Sequence, residues 1–139
     1  MPVNADGPDP HPLAPDAVDP DALDPEDAKI LTLARSARPR GYAPHTGQLE
    51  GACVRDTDGR TYLAATVENA DPSLTVSALR AAVVAAASSG ARSFEAAALV
   101  TEGAGPVAED VRTLVEFTPG VPLFLAGPDG VAHSRVEAR

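Results

Sequence analysis

Few side chains in this chain of 139 residues could do reactive chemistry. It has one cysteine, Cys53, and three histidines, His11, His45 and His133, which do not form a ligand-spaced group. A catalytic zinc site draws about three ligands from thiolate, imidazole and carboxylate and keeps one position open for water. Cys53 sits in a run that reads as a strand, where a small buried hydrophobe is the expected role. Polar groups that could act together lie instead in two segments. One runs Thr66-Val67-Glu68-Asn69-Ala70-Asp71-Pro72-Ser73-Leu74-Thr75-Val76-Ser77-Ala78-Leu79-Arg80. The other runs Pro106-Val107-Ala108-Glu109-Asp110-Val111-Arg112-Thr113-Leu114-Val115-Glu116-Phe117. Their polar and charged side chains, Thr66, Glu68, Ser77, Arg80 and Asp110 among them, can exchange hydrogen bonds or pair charges.

The first segment resembles the motif N-V-E-N-A-x-x-x-x-T-x-C-A-E-R of the zinc cytidine deaminases. The second resembles their P-C-G-x-C-R-Q-x-L-x-E-F, with Pro106, Leu114, Glu116 and Phe117 matching. A third piece, Tyr42-Ala43-Pro44-His45-Thr46-Gly47-Gln48-Leu49-Glu50-Gly51-Ala52, is similar to A-Y-x-P-Y-S-x-F-x-V-G-A, without a gap. Together they cover about residues 25–127. The resemblance implies a three-layer α-β-α fold of the α/β class, with a mixed sheet of about five strands. It also implies where the site lies. Glu68 falls on the glutamate that takes a ribose 3′-hydroxyl, Thr66 on its companion asparagine, and Gln48 on a substrate-side phenylalanine. Glu68 could equally satisfy backbone amides near a strand end. His45, on a family aromatic, is structural or touches the ligand.

The reactive positions of the resembling family are replaced. Its three zinc-ligand positions fall on Ser77, Val107 and Asp110, and its acid/base glutamate on Leu79. The resemblance also places Arg80 on an arginine beside the zinc thiolates. With those gone a buried guanidinium needs a new partner, which implies an Arg80–Asp110 pair, the alternative being Arg80 at a helix surface, pointing to solvent. Zinc deaminases use a metal-held hydroxide and a glutamate that moves protons. Leucine exchanges no proton, and loss of acid/base catalysis alone costs roughly 10²–10⁴-fold in rate. The sequence therefore leads to an expectation of no cofactor, no bound zinc and no catalytic residue. Three functions follow. One is an inactive deaminase-fold protein that binds a nucleoside, a nucleotide or a protein partner. Another is an active cytidine deaminase with a non-standard site. The last is a structural protein whose pocket has filled.

Charge is unevenly placed. Residues 1–27 hold seven Asp and one Glu with no Lys or Arg, leaving 11 basic and 12 acidic groups for the rest. Half of the 14 prolines also lie there. Such a segment cannot bury enough apolar surface to offset its ordering entropy. Residues 1–23 are therefore expected to be a disordered acidic tail, and residues 24–139 the domain. The nearly neutral body lacks the basic patch that nucleic-acid binding needs. No membrane-length apolar run occurs. A single cysteine suits a reducing cytoplasm, and the Ala/Pro/Gly/Val/Arg bias a high-G+C bacterium.

The elements that must position these residues are legible from capping and periodicity. Asp24-Pro25-Glu26-Asp27 opens a helix that ends before Pro39. Residues 52–55 and 61–67 read as a hairpin around Asp56-Thr57-Asp58-Gly59. An Ala-rich helix spans Leu74 to Ser88 and is closed by Gly90. It is apolar on nearly all sides, so a buried central helix is expected. A strand over 94–101, a helix over 107–117, a strand over 122–126 and a short last strand over 131–134 complete the pattern. That alternation gives a mixed sheet with helices on its faces. The resemblance implies a homodimer or homotetramer, and an all-round apolar helix in so small a domain is consistent with an oligomer that buries extra surface.

Overall fold

The computed structural model describes residues 15–139. Its elements in chain order are β1 (Asp16–Ala17), α1 (Pro25–Ala37), β2 (Gly51–Asp56), β3 (Thr61–Ala65), α2 (Ala78–Ser88), β4 (Phe94–Val100), α3 (Ala108–Val115), β5 (Pro122–Ala126) and β6 (Ala132–Glu137). They form one sheet of six strands in the order β1-β6-β5-β4-β2-β3. Only β4 and β5 run parallel, so the sheet is mixed. The expected count of about five is raised by β1, a two-residue strand pairing Asp16 with Arg135 and Ala17 with Ser134.

That strand also corrects the tail. Residues 1–14 lie outside the described residues, but 15–23 carry structure where disorder was expected. Val18 N donates to His133 O at 3.0 Å, and Asp19 caps a short 3-10 turn at Pro20–Ala22. Val18 and Leu23 pack on the cluster around Ile30. Composition missed this because β6 offers an edge whose unpaired backbone groups can be satisfied by any strand, acidic or not.

Local chemistry sets the boundaries. Asp24 accepts from Glu26 N at 2.8 Å and Pro25 fills the first turn of α1, as its capping sequence predicts. In the β2–β3 turn, Asp56 Oδ1 accepts from Asp58 N and Arg60 N, both at 2.9 Å. The helix expected from Leu74 starts four residues later. Pro72–Leu74 is a 3-10 turn instead, and Ser77 caps α2 by accepting from Arg80 N at 3.4 Å. Gly90, at φ +107°, ends the helix in a conformation other residues rarely adopt.

Strand alternation builds two cores. On one face Ile30, Leu31 and Ala34 of α1 cover Cys53, Ala96, Ala98 and Phe124. On the other, Leu79, Ala82 and Val83 of α2 and Val111 and Leu114 of α3 cover Val54, Leu99 and Leu123. The result is three layers, α1 over the sheet over α2 and α3. Alanines at 96, 97 and 98 let helices approach both faces of β4 closely. Gly51 is needed for the same reason: a Cβ there would lie 2.0 Å from Ala34 O of α1. α2 is not buried all round, because Val84 is 55 % exposed on its outer side. Its apolar character exceeds what this one domain covers.

Candidate ligand-binding site

A cavity of about 350 Å³ opens where the loop before β2, the segment after β3 and the end of β4 converge. Gln48, Glu50, Thr66, Glu68, Ser77 and Thr101 contribute to its wall. The structure thus brings together Gln48, Thr66 and Glu68, the three residues expected to touch a ligand.

Glu68 is a buried carboxylate with several donors around it. Its Oε1 accepts from His45 N at 2.8 Å and Thr46 N at 3.2 Å, and its Oε2 accepts from Thr46 Oγ1. These bonds, with the Thr46 hydroxyl the largest cause, hold its pKa below the usual carboxylate range. Glu68 therefore fastens the Pro44–Gln48 loop and faces the cavity at the same time. His45 takes part through its backbone, and its ring is exposed. Thr66 Oγ1 accepts from Glu50 N at 2.9 Å, which ties the start of β2 to the segment after β3. Gln48 N donates to Thr46 Oγ1 at 3.0 Å.

Ser77, Arg80 and Asp110 form a second group at the helix starts. Arg80 Nη1 lies 3.9 Å from Asp110 Oδ1, and Arg80 Nη2 donates to Thr75 O at 3.1 Å. Asp110 is 5 % exposed. Burial raises its pKa, opposed by a hydrogen bond from Ser77 and the Arg80 charge. Val107 stands apart, 54 % exposed just ahead of α3. Leu79 is 1 % exposed within the α2–sheet core and does not line the cavity.

Three contributors went unnoticed at the sequence level. Thr46 supplies the hydroxyl that anchors Glu68. Glu50 lines the cavity where the resembling motif has valine, and that mismatch was a visible signal. Thr101 Oγ1 donates to Glu50 Oε2 at 2.8 Å. Its position at a strand end could not be tied to Glu50 without the fold, since the two are 51 residues apart.

The domain has three layers, α-β-α, with a polar cavity beside the Ser77 cap of α2. The chain belongs to the cytidine deaminase family: the family described as "Cytidine deaminase-like" matches residues 23–130. A cytidine deaminase of Sporosarcina psychrophila is 33 % identical over 106 residues, covering 73 % of this chain and 78 % of that one. The crystal structure of cytidine deaminase from Burkholderia pseudomallei superposes with a TM-score of 0.73 at 28 % identity, covering 79 % of this chain and 91 % of that one. Cytidine deaminase from Mycobacterium leprae gives 0.65 at 25 % identity, covering 76 % and 90 %.

Family membership corrects the expectation of no cofactor. The family points to zinc, not to the absence of a metal. The side chains at the three corresponding positions do not match a zinc donor set. Ser77 offers a neutral hydroxyl engaged as a helix cap, Val107 a hydrocarbon, and only Asp110 a carboxylate. Among the described residues no three His, Cys, Asp or Glu side chains group so as to hold a metal. Among the described residues, too, no helix is long and apolar enough to cross a membrane.

Proposed function

We propose that this protein binds a nucleoside in the cavity at Glu68 and does not hydrolyse it by the acid/base route of the cytidine deaminases. The observation that carries the proposal is the cavity itself: about 350 Å³, open, and walled by Glu50, Thr66, Glu68 and Thr101. Ligand sites are concave spaces of roughly this size with a few convergent polar groups. A filled pocket, as a purely structural protein would have, fits that observation poorly. Glu68 is the group assigned to the ribose. Its loop bonds occupy both oxygens, yet each carboxylate oxygen can accept more than one hydrogen bond. The absence of turnover rests on Leu79, a hydrocarbon sealed in the core at the acid/base position.

One observation favours a second reading, an active deaminase. The relative from Sporosarcina psychrophila, 33 % identical, carries that activity in its name. Two measurements separate the readings. Thermal shift with cytidine and uridine reports binding, since a ligand present at a hundred times its Kd stabilises the native state by about 2.7 kcal/mol. Ammonia release from cytidine, in buffer supplied with zinc, reports turnover. Stabilisation without ammonia supports the proposal. Ammonia at rates that scale with protein concentration establishes the second reading. No shift at millimolar nucleoside overturns the binding proposal.

The proposal carries with it a homodimer or homotetramer in a bacterial cytoplasm, without nucleic-acid or membrane partners. The exposed Val84 on α2 supports the oligomer. Sedimentation velocity of the full chain reads it directly.

A further inference from the structure

Glu50 is an unusual residue for its place. It directly precedes β2 and the glycine that α1 packs on, and it lines the cavity rather than either core. Its orientation is set by a two-step relay. Gly103 N donates to Thr101 Oγ1 at 2.9 Å, so that hydroxyl directs its own proton to Glu50 Oε2 at 2.8 Å. Among the described residues Glu50 Oε1 has no hydrogen-bond partner. Burial raises the pKa of this carboxyl, countered by the Thr101 bond and increased further by the nearby Asp110 charge. An ion stripped of water in this way gains from any N–H donor that reaches it.

We propose that Glu50 Oε1 is the group that selects the base, accepting an N–H from an exocyclic amino group and thereby favouring amino-bearing over keto-bearing pyrimidine nucleosides. The inference rests on nucleoside binding in this cavity. Cytidine and uridine probe this edge of the base. C4 carries an amino donor in the first and a carbonyl acceptor in the second. The neighbouring N3 is an acceptor in the first and an N–H donor in the second, so the contact proposed is with the C4 group. An ionised Glu50 gains a charge-assisted bond from the amino group and meets repulsion from the carbonyl oxygen. The relay also dictates what glutamine would do here. Thr101 donates to the amide oxygen, which turns the amide NH2 toward the cavity and reverses the polarity presented to the base.

Isothermal titration of the full-length protein with cytidine and with uridine tests this on three proteins: the wild type, Glu50→Val and Glu50→Gln. Circular dichroism and a melting midpoint establish that each variant is folded. The wild type is expected to bind cytidine about tenfold or more tightly than uridine, the size of one good charge-assisted bond. Glu50→Val, the residue of the resembling motif, should bring the two affinities within about twofold by removing the acceptor. Glu50→Gln should bind uridine the more tightly. If Glu50→Val binds both nucleosides and keeps the wild-type ratio, or if the wild type shows no preference for cytidine, the assignment of Glu50 is overturned while the binding site stands. If the wild type binds neither nucleoside, both the site and the assignment fall.

Discussion

Leu79→Ala separates a core role from a ligand-wall role at the position where the family keeps its acid/base group. Leu79 is 1 % exposed and packs with Ala52, Val54, Ala82 and Val83. Truncation removes about three carbons from an apolar site, worth roughly 0.8 kcal/mol each. A cavity term adds to this, because the alanines around the site are too short to close the space. The sum is about 3–4 kcal/mol, a large share of a stability of roughly 5–15 kcal/mol. At this chain length it corresponds to a fall in Tm of roughly 10 °C. Urea unfolding should show a lower midpoint with an unchanged slope, since the surface exposed on unfolding stays the same. Nucleoside affinity, corrected for the folded fraction, should stay within about twofold, because no cavity wall is altered. A loss under about 1 kcal/mol accompanied by a changed affinity would refute the placement of Leu79 in the core.

Other predictions test the frame around the site. Gly51→Ala forces a Cβ to within 2.0 Å of Ala34 O and 2.7 Å of Arg38 N, so β2 and α1 must separate, and a loss of about 3 kcal/mol or more is expected in urea unfolding. Glu68→Gln should speed hydrogen exchange at the His45 and Thr46 amides, which donate to the lost carboxylate. Because the native pKa of Glu68 is lowered, its contribution is fully present above the ordinary value of 4.5 and is lost as pH falls through the native value. Amide shifts of His45 and Thr46 should therefore titrate below pH 4.5 in the wild type and stay flat in the variant. Burial pushes the Cys53 thiol up to about 11, so at pH 8 it should resist disulfide reagents in the native state and react at the rate of global opening.

How much could be seen in the chain differs between fold and site. A helix start and a hairpin turn were legible where a short side chain bonds the next turn of backbone, at Asp24 and at Asp56, because those bonds span two to four residues. The start of α2 was misplaced for the same kind of reason. Asp71 and Ser77 can both cap, and only the packing of Ala78 and Leu79 against the sheet decides which one begins the helix. Ordering of residues 15–23 was missed because it depends on a partner strand more than 110 residues away in sequence.

The sequence alone determined the family and the layer order, and it singled out Glu68, Thr66 and Gln48, which line one cavity. Motif spacing and strand alternation are local properties, written in residue order. Only tertiary structure decided what those groups do. Glu68 became a loop anchor because His45 and Thr46 fold back on it, Glu50 acquired a directed oxygen because Thr101 arrives at the end of β4, and Leu79 went into the core. Hydrogen-bond partners at such separations are set by the closing of the sheet, which no single stretch of the chain encodes.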